Sequence, residues 1–265
     1  MTRVQLIFDR EGSAARRLGD QDLVELYRYR EPPTSGWLRT NFVTSVDGAV
    51  TGTDGTSSSL ATASDATMFA LHRALADAVV VAGGTARHEG YRAVDLAPWQ
   101  TELRAAENLA PYPTLVIVSG RARVDPEVAR PAAGEGGPVV VVTTVGKPET
   151  ELAPLRRAGI EVLELGTETV DLRAMVDDLA GRGLPRLLCE GGPTLHRDLL
   201  AAGLVDELSL TLAPTVVGGA AARTTAGEAL DPAASLELDL VLLGDDGALF
   251  TRYRTVPERP AARLA

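Results

Sequence analysis

Short apolar runs recur along the chain and are separated by polar, glycine-containing stretches. Most of these runs are continuous and rich in Val, Ile and Leu, with little alternation between apolar and polar positions. Continuous apolar strands are typical of parallel sheets whose two faces are both covered by helices. The pattern therefore predicts buried strands at 38–46, 77–82, 114–119, 138–144, 160–165 and 185–190.

Between these runs, the spacing of apolar residues predicts amphipathic helices. The segment SDATMFALHRAL has one apolar face, and Ser64 is its expected N-cap. Further helices are expected in TVDLRAMVDDLAGRG and in PTLHRDLLAAG, where Pro193 suits the first turn and Gly203 ends the helix. Strands that alternate with helices predict an α/β fold with three α/β/α layers and a mainly parallel sheet.

The last part of the chain has a different pattern. Apolar and polar residues alternate more in VDELSLTLAPTVVGG, SLELDLVLLGDDG and ALFTRYRTV, and the pair Asp246-Gly247 is typical of a hairpin turn. We therefore expect antiparallel C-terminal strands at one end of the sheet. With no internal repeat and no domain linker, the chain is expected to form one domain, 1–265, with an N-terminal arm at 1–35 and a core at 36–256.

Composition and charge narrow the class of protein. The chain has 265 residues, a formal net charge of −10, one cysteine and three histidines. The single Cys189 excludes an internal disulfide, and the histidines lack metal-ligand spacing, so no metal site is expected. An acidic chain is not typical of nucleic-acid binding. No apolar run approaches the roughly 18–20 residues that span a membrane, so we expect a cytoplasmic protein without a membrane partner.

Residues that follow the predicted strands are candidates for ligand binding, because ligands of open α/β sheets bind at the carboxyl ends of the strands. Glycine pairs follow two strands, and such turns let backbone N–H groups approach a phosphate. Arginines beside hydroxyl groups follow a third strand, and arginine holds phosphate through two hydrogen bonds. The candidates are Gly83, Gly84, Thr85, Ser119, Arg121, Arg123, Thr143, Thr144 and the turn from Glu190 to Thr194.

Four neighbouring strand ends of this kind fit a dinucleotide, although the fingerprint GxGxxG is absent. Each feature also has a plainer interpretation, since a glycine pair is commonly a tight turn and a single arginine is commonly a solvated surface residue. A phosphate-loop ATPase is not expected, because Lys147 lacks the first glycine of that motif. The recurrence at successive strand ends is what favours a cofactor site.

A second polar cluster lies in TNFVTSVDGAVTG, where a predicted strand carries Asn41, Thr44 and Ser45 into the pair Asp47-Gly48. Asp-Gly is a common turn pair, so the plain interpretation is a turn. The functional interpretation is a carboxylate at a strand end that holds or protonates a polar substrate. The residues by themselves favour the turn.

The chain resembles the RibD C-terminal family, the reductase domain of riboflavin biosynthesis, over roughly residues 37–254. The resemblance rests on TSVDGAVTG, RALADAVVVAGGTAR and LLCEGGPTLHRDLLAAGLVDELSLTLAPTVVGG, in this order. It implies a dihydrofolate reductase-like fold, a homodimer, and NADPH as the cofactor. It also implies hydride transfer that reduces the ribose of a ribosylamino-pyrimidine 5′-phosphate to ribityl. The deaminase zinc motif H-x-E…P-C-x-x-C is absent.

The resemblance also implies roles for single residues. Asp47 matches the aspartate of the family's S-x-D-G motif and would supply a proton, and Glu190 would orient the substrate or the nicotinamide amide. Ser119 with Arg121 or Arg123 would meet the adenosine 2′-phosphate. With the strand-end pattern, the predicted cofactor contacts are Gly83, Gly84, Thr85, Ser119, Arg121, Arg123, Thr143, Gly191, Gly192, Pro193 and Thr194. The predicted substrate contacts are Asn41, Thr44, Ser45, Arg73 and Arg92, with Arg73 matching a phosphate-binding arginine.

Two features depart from the family pattern on the substrate side. Ala49 follows the S-x-D-G motif where many members have Lys or Arg, and ARHEGYRAVD replaces an Asp-x-Pro-x-Leu-x-x-Arg segment. Two alternatives therefore stay open: an NADPH-dependent reductase of dihydrofolate or a related pterin, and a non-catalytic NADPH-binding protein. Arg73 and Arg92 facing a cleft would favour the phosphorylated pyrimidine, whereas pairing with surface acids would favour the pterin. His196 is expected on a helix surface.

Overall fold

The computed structural model describes residues 4–29 and 36–256. Its strands are β1 (Val4–Asp9), β2 (Arg16–Leu18), β3 (Trp37–Thr44), β4 (Ala78–Ala82), β5 (Thr114–Val118), β6 (Val139–Thr143), β7 (Glu161–Glu164), β8 (Arg186–Cys189), β9 (Glu207–Leu212), β10 (Leu236–Gly244) and β11 (Leu249–Thr255). Its helices are α1 (Asp20–Tyr27), α2 (Ala63–Leu75), α3 (Gly83–His88), α4 (Pro98–Ala106), α5 (Glu149–Arg157), α6 (Leu172–Gly181) and α7 (Pro193–Ala201). A 3-10 turn covers Pro126–Ala129.

The strands form one sheet in the order β2-β1-β10-β11-β9-β3-β8-β4-β5-β6-β7. From β9 to β7 in this order, neighbouring strands are parallel. The strands β11, β10, β1 and β2 extend the sheet with antiparallel pairing. The predicted parallel sheet with antiparallel C-terminal strands is therefore confirmed, and β10 turns into β11 at the predicted Asp246-Gly247 pair.

Helices cover both faces of the parallel half, which produces the three layers. On one face, Met175 and Leu179 of α6 and Leu199 of α7 pack on alternate residues of the central strands. On the other face, α3 and α5 pack on the intervening residues, with Leu155 of α5 in the cluster. Because successive side chains of a strand point to opposite faces, strands covered twice must be apolar at every position. This is why the central strands have continuous rather than alternating apolar runs.

Residues 4–29, which belong to the predicted N-terminal arm, contribute two strands and a helix. β1 pairs with β10, and its Val4 and Leu6 are 1% exposed. Leu23 and Tyr27 of α1 pack in the same apolar cluster as Leu71 of α2. This segment therefore extends the sheet beyond β10 and helps to bury α2.

The ends of the helices follow local capping chemistry. The predicted cap of α2 was wrong: the Thr62 side chain accepts the N–H of Asp65, whereas Ser64 lies inside the first turn and its N–H donates to Asp246. Pro193 occupies the first turn of α7 and Gly203 follows its end with φ +62°, as predicted. None of the helices at 4–29 and 36–256 is long and apolar enough to cross a membrane.

Candidate active site

The turns after β4 and β8 lie against each other at the carboxyl edge of the sheet. The N–H of Ala82 donates to the carbonyl of Gly191 at 2.8 Å. A Cβ at Gly192 would lie 2.3 Å from Thr85 Oγ1, a distance that real Cβ atoms do not adopt. Gly191 has φ +99°, a backbone conformation that disfavours other residues. The close approach of the two turns therefore requires Gly192, and the backbone conformation requires Gly191.

The turns after β5 and β6 join the same edge. A Cβ at Gly83 would lie 3.0 Å from Ser119 Cβ. The N–H of Ser119 donates to the carbonyl of Val142 at 2.9 Å, and the Thr144 hydroxyl donates to the carbonyl of Gly120 at 3.2 Å. The four turns at 83–85, 119–123, 143–144 and 190–194 thus form one continuous surface, which we call the strand-end edge.

The strand-end edge has unused polar capacity. Gly84 is exposed and an added Cβ would meet no atom within 4 Å. The buried Thr143 hydroxyl has no hydrogen-bond partner among the described residues. Arg121 and Arg123 follow β5 and are both exposed. A phosphate-bearing ligand requires hydrogen-bond donors. The edge offers the accessible backbone at Gly84, the unpaired Thr143 hydroxyl and two exposed guanidinium groups.

A cleft of about 400 Å³ begins at Glu190, the first residue of the turn after β8. This volume is typical of a small-molecule site. Its floor comes from β3 and one wall from α2, while a second wall comes from the segment 89–95. Asn41, a predicted substrate contact, lines the floor. The cleft and the strand-end edge therefore share Glu190.

Glu190 is held by two side chains inside the cleft. Arg73 of α2 donates Nε and Nη2 to its two carboxylate oxygens at 2.8 and 2.7 Å, and the Tyr91 hydroxyl donates to Oε2 at 2.7 Å. The guanidinium of Arg73 also stacks over the Phe69 ring at 4.4 Å. The carboxylate side chain of Glu190 is only 2% exposed. These contacts hold the Glu190 carboxyl group in place as the shared acceptor of both side chains.

Burial and charge act together on the groups around Glu190. Burial raises the pKa of Tyr91 well above its ordinary value, and the neighbouring Glu190 carboxylate raises it further. Burial alone would lower the pKa of Arg73, but the charge of Glu190 and its hydrogen bonds raise it. Arg73 therefore stays cationic and Tyr91 stays protonated, so both remain donors to Glu190 at any physiological pH.

Arg73 and Arg92, the two arginines that were to separate the alternatives, both line the cleft. Within residues 4–29 and 36–256, neither pairs with a surface acid. Arg73 uses its charge on the buried Glu190. Arg92 is exposed, and its guanidinium donates to the carbonyl of Glu127 at 3.3 Å. Arg92 therefore keeps its full charge for a ligand, while most of Arg73 is engaged within the protein.

Asp47 lies in an exposed turn. Among the described residues that line the cleft, Asp47 is absent. Its carboxylate accepts the Ser45 hydroxyl at 2.5 Å and the N–H groups of Val217 and Gly218 at 3.1 and 2.7 Å. These hydrogen bonds, from Ser45 first, lower the pKa of Asp47 to about 2. Asp47 is therefore ionised at neutral pH and clamps the loop after β9. This geometry does not favour the predicted role of direct proton donor.

The neighbours of Asp47 also hold the turn together. Thr44 and Ser45 are buried, and Ser45 Oγ accepts the N–H of Ala49 at 2.9 Å. Neither side chain lines the cleft, unlike Asn41. Ala49 is 5% exposed, so the position that is basic in many family members is enclosed here. Of the predicted substrate contacts, the structure thus brings Asn41, Arg73 and Arg92 together and leaves the other two outside.

The prediction for His196 was wrong. The side chain is on the buried face of α7 and 1% exposed, with Nδ1 2.9 Å from the carbonyl of Thr224 and Nε2 3.3 Å from Thr40 Oγ1. Its ring stacks on Phe42, with 4.6 Å between centroids. Burial lowers its pKa. One polar residue on an amphipathic helix looks exposed in sequence, and only the long-range partners explain its burial.

Cys189 is a small residue of the core. It is fully buried, and burial raises the pKa of its thiol to about 12. In the described ranges, no group of three or more His, Cys, Asp or Glu side chains is placed to hold a metal ion.

Tyr91 and Asp65 are among the cleft residues that were not predicted. Tyr91 lies in ARHEGYRAVD, the segment that departs from the family pattern, and this departure was the available signal. Asp65 of α2 lines the cleft with 7% exposure. The sequence around Asp65 reads as an ordinary first helical turn, where acidic residues are common. The sequence alone therefore did not predict that Asp65 lines the cleft.

The fold and the site define an α/β protein that combines a glycine-built strand-end edge with a small-molecule cleft. The sequence profile of the RibD C-terminal domain matches residues 36–248. The chain therefore belongs to the RibD C-terminal domain family, which agrees with the resemblance found in its motifs.

Curated relatives in two archaea carry the same printed name, 2,5-diamino-6-ribosylamino-4(3H)-pyrimidinone 5′-phosphate reductase. The relative from Methanothermobacter thermautotrophicus is 37% identical over 139 residues, which is 51% of this chain and 63% of the relative. The relative from Archaeoglobus fulgidus is 33% identical over 147 residues, which is 56% of this chain and 66% of the relative. The matched stretches thus span a little under two thirds of these relatives.

Solved structures show the same architecture. A pyrimidine reductase-like protein from Corynebacterium diphtheriae has a TM-score of 0.74 and 26% identity, over 89% of this chain and 99% of that one. RibD from Acinetobacter baumannii has a TM-score of 0.65 and 21% identity, over 84% of this chain and 59% of that one. The predicted three-layer α/β fold is confirmed, and it is the fold of these solved pyrimidine reductase-like and RibD proteins. Reductases of this family generally use a nicotinamide cofactor.

Proposed function

We propose that the protein is an NADPH-dependent reductase of riboflavin biosynthesis. Its substrate would be a ribosylamino-pyrimidine 5′-phosphate, whose ribosyl group is reduced to ribityl. The observation that carries the proposal is the junction at Glu190, a residue that both opens the glycine turn of the strand-end edge and lines the cleft. A reaction between a cofactor and a substrate requires two binding surfaces that meet at one point.

The strand-end edge fits a phosphorylated dinucleotide. Gly83, Gly84 and Thr85 would meet it at the turn after β4, and Gly191, Gly192, Pro193 and Thr194 at the turn after β8. The orphaned Thr143 hydroxyl and Ser119 add donors, and the exposed Arg121 and Arg123 provide the positive charge that the NADPH 2′-phosphate needs. This charge is what favours NADPH over NADH.

The cleft would hold the substrate. Of the two cleft arginines, Arg92 is the one that pairs with no acid in the part of the chain that the structure describes, so it would contact the 5′-phosphate. Asn41 would bind the base from the floor. Glu190, fixed by Arg73 and Tyr91, would orient the reacting end of the substrate next to the cofactor.

The bound cofactor supplies the hydride, and the protein holds the cofactor and the substrate in the correct relative position. Because Asp47 is ionised and bound to backbone N–H groups, we assign it the support of the loop after β9 rather than a proton transfer. The rigid Arg73–Glu190–Tyr91 group keeps the reacting atoms aligned, which is the main contribution of a protein to hydride transfer.

A homodimer is proposed on a separate observation. Phe42 of β3, Val50 and Leu208 of β9 form a small apolar cluster where the parallel strands meet the antiparallel ones, and Tyr253 of β11 packs on it. Leu238 pairs with Tyr253 across β10 and β11 and is 37% exposed. A half-covered apolar sheet face of this kind supports packing against a second copy. A monomeric mass by light scattering would overturn this part.

The test is NADPH oxidation by purified protein, with product analysis by mass spectrometry. Ribosylamino-pyrimidine 5′-phosphates and dihydrofolate are offered side by side. We expect oxidation with a pyrimidine phosphate and a product reduced at the ribosyl carbon. Turnover of dihydrofolate alone would replace the proposal with the pterin reductase, and NADPH binding without any turnover would replace it with the non-catalytic binding protein.

A further inference from the structure

The segment 4–29 lies outside the range 36–248 that matches the family profile. Of the residues described there, none lines the cleft, and none belongs to the four turns of the strand-end edge. The segment is nonetheless closely packed, because Val4, Leu6, Leu23 and Tyr27 are all buried. A segment that touches neither binding surface can still affect one of them through the element on which it packs.

That element is α2, whose two faces have different neighbours. One face lines the cleft with Asp65, Phe69 and Arg73, which follow each other at intervals of four residues. A second face, with Leu71, packs in one apolar cluster with Tyr27 of α1. Side chains four residues apart share one face of a helix, so the two faces are distinct. The helix that forms a wall of the cleft is thus held from behind by α1.

His72, which precedes Arg73, makes the polar part of this contact. Its ring meets the Tyr27 ring edge-on, with 5.0 Å between centroids. Arg39 of β3 donates Nη1 to the Tyr27 carbonyl at 2.9 Å, and the same nitrogen lies 3.3 Å from His72 Nδ1. Arginine is only a donor, so His72 Nδ1 is the acceptor. Burial, with the charges of Arg39 and Arg252, lowers the pKa of His72 well below its ordinary value, so the ring is neutral and keeps this acceptor.

Arg39 also ties this contact to the floor of the cleft. Its Nε donates to the Glu207 carboxylate at 2.5 Å, and both side chains are almost fully buried. Asn41 is two residues further along β3, so it points to the same side of the sheet, where it lines the cleft floor. One guanidinium group thus joins α1, α2 and the strand that carries the floor.

A second connection runs through α4. Arg28 follows α1 and donates Nε and Nη2 to the two carboxylate oxygens of Glu107 at 2.8 and 2.6 Å. Glu107 ends α4, and Gln100 of the same helix donates to the Ala70 carbonyl of α2 at 2.8 Å. The segment therefore holds α2 directly and through a neighbouring helix.

The strand-end edge has no comparable support from α1. The contacts of Tyr27 and Arg28 outside α1 lead to α2, α4 and the strands β3 and β11, and none of them leads to the turns after β4, β5, β6 or β8. α2 itself reaches the edge at the Glu190 side chain, which lies within the cleft. Loss of the α1 contact should therefore disturb the substrate side and spare the cofactor side.

We infer that segment 4–29 positions α2 for substrate binding, with Tyr27 and His72 as positioning residues that act through Arg73 and Phe69. The nature of the substrate rests on the proposed function, whereas the positioning of α2 does not. The substrate side of the reaction thus depends on residues outside the matched domain.

The first variant is His72→Leu, which removes the acceptor of Arg39 and the edge-on ring contact. We expect kcat/KM for the ribosylamino-pyrimidine 5′-phosphate to fall at least about tenfold, because a small displacement of substrate-positioning groups has a large effect on rate. NADPH affinity, measured by calorimetry, should stay close to the wild-type value. His72→Asn keeps an acceptor at the position of Nδ1 and should recover most of the loss.

Tyr27→Leu changes the α1 side of the same contact and should reproduce the effect. The double variant Tyr27→Leu/His72→Leu should lose no more than the more affected single variant, because both changes act through one contact. The matched control is Leu179→Ala, which destabilises α6 in another part of the core and should change neither kcat/KM nor NADPH affinity at a temperature where it is folded. Wild-type kcat/KM in His72→Leu, an equal loss of substrate and cofactor binding, or the same substrate-specific loss in Leu179→Ala would overturn the inference.

Hydrogen exchange tests the inference without turnover. In ligand-free Tyr27→Leu, amides of α2 should exchange at least about tenfold faster, whereas those of β5 and β6 should not change. In the wild-type protein, the pyrimidine phosphate should slow exchange in α1 as well as in α2, and NADPH alone should slow neither. Unchanged α1 exchange with the substrate bound would contradict the inference. If no pyrimidine phosphate is reduced, the proposed function fails, and the ligand-free exchange still decides the role of segment 4–29.

Discussion

The strand-end edge and the cleft meet at Glu190 but are built in different ways. The edge consists mainly of backbone: Gly192 is needed because Thr85 approaches within 2.3 Å of a Cβ position, and Gly191 because its φ is +99°. The cleft consists of side chains, and its central group joins Arg73 to Glu190 across 117 residues of chain. A backbone-built surface depends on the absence of Cβ atoms, whereas a side-chain-built surface depends on distant partners.

This difference explains where the chain departs from its family. Both departures fall on the substrate side: Ala49 is enclosed at its turn, and ARHEGYRAVD contributes Tyr91 to the group around Glu190. The glycine turns of the edge keep the family pattern. A cleft built from side chains can change by one substitution at a time. A turn that needs glycine does not tolerate another residue at that position.

The largest effect is expected for Arg73→Met. The variant leaves the Glu190 carboxylate, 2% exposed, without its cation, so the free energy of unfolding should fall by about 3–5 kcal/mol. Urea denaturation measures this change. The double variant Arg73→Met/Glu190→Gln should recover much of the loss, because no buried charge is left unpaired.

The control for this prediction is Arg130→Met, which removes an exposed pair with Glu127 and should cost no more than about 1 kcal/mol. Equal stability of the two single variants would mean that the cleft is not held together by its side chains. The contrast between cleft and edge would then be wrong.

A smaller effect is expected for two glycines of the strand-end edge. Substitution of one should lower stability, and substitution of the other should lower NADPH affinity. Gly192→Ala forces a Cβ against Thr85 and should lower the free energy of unfolding by about 1–3 kcal/mol. Gly84→Ala meets no atom within 4 Å, so stability should be kept, but NADPH affinity should fall at least about tenfold.

Thermal denaturation without cofactor and titration with NADPH separate these two outcomes. Wild-type NADPH affinity in Gly84→Ala would show that the turn after β4 does not contact the cofactor. Unchanged stability of Gly192→Ala would show that the two turns are not as close as described.

The smallest effect is expected for Asp47→Asn, which tests whether Asp47 belongs to the cleft at all. The pKa of Asp47 in the folded protein is about 2, below the ordinary 3.8. The carboxylate therefore stabilises the fold fully above pH 3.8, and this stabilisation is lost as the pH falls through the folded pKa. The variant should be less stable at neutral pH and lose less stability on acidification between these values. Denaturation midpoints across this range measure it.

Turnover of Asp47→Asn should fall by less than about tenfold, since removal of a general acid costs roughly 100-fold or more. A larger loss of turnover with unchanged stability would place Asp47 among the reacting groups. The cleft would then extend to the turn after β3.

Much of the fold was predictable from local pattern. The strands of the parallel half are continuous apolar runs because both of their faces are buried, and the hairpin at Asp246-Gly247 follows from turn chemistry. The cap of α2 was misplaced by two residues, because Thr62 and Ser64 have the same local chemistry. The distant contact of Ser64 with Asp246 decided between them.

The sequence by itself determined the strands of the parallel half, the antiparallel strands at the C-terminal end, the glycine turns of the strand-end edge and the family. These features depend on periodicity and on backbone conformation, which neighbouring residues specify. Only the tertiary structure decided that Arg73 is bound to Glu190, that Asp47 clamps a loop, that His196 is buried and that Asp65 faces the cleft. Each of these depends on a partner far away in the chain, and no local pattern records which distant residues folding will bring together.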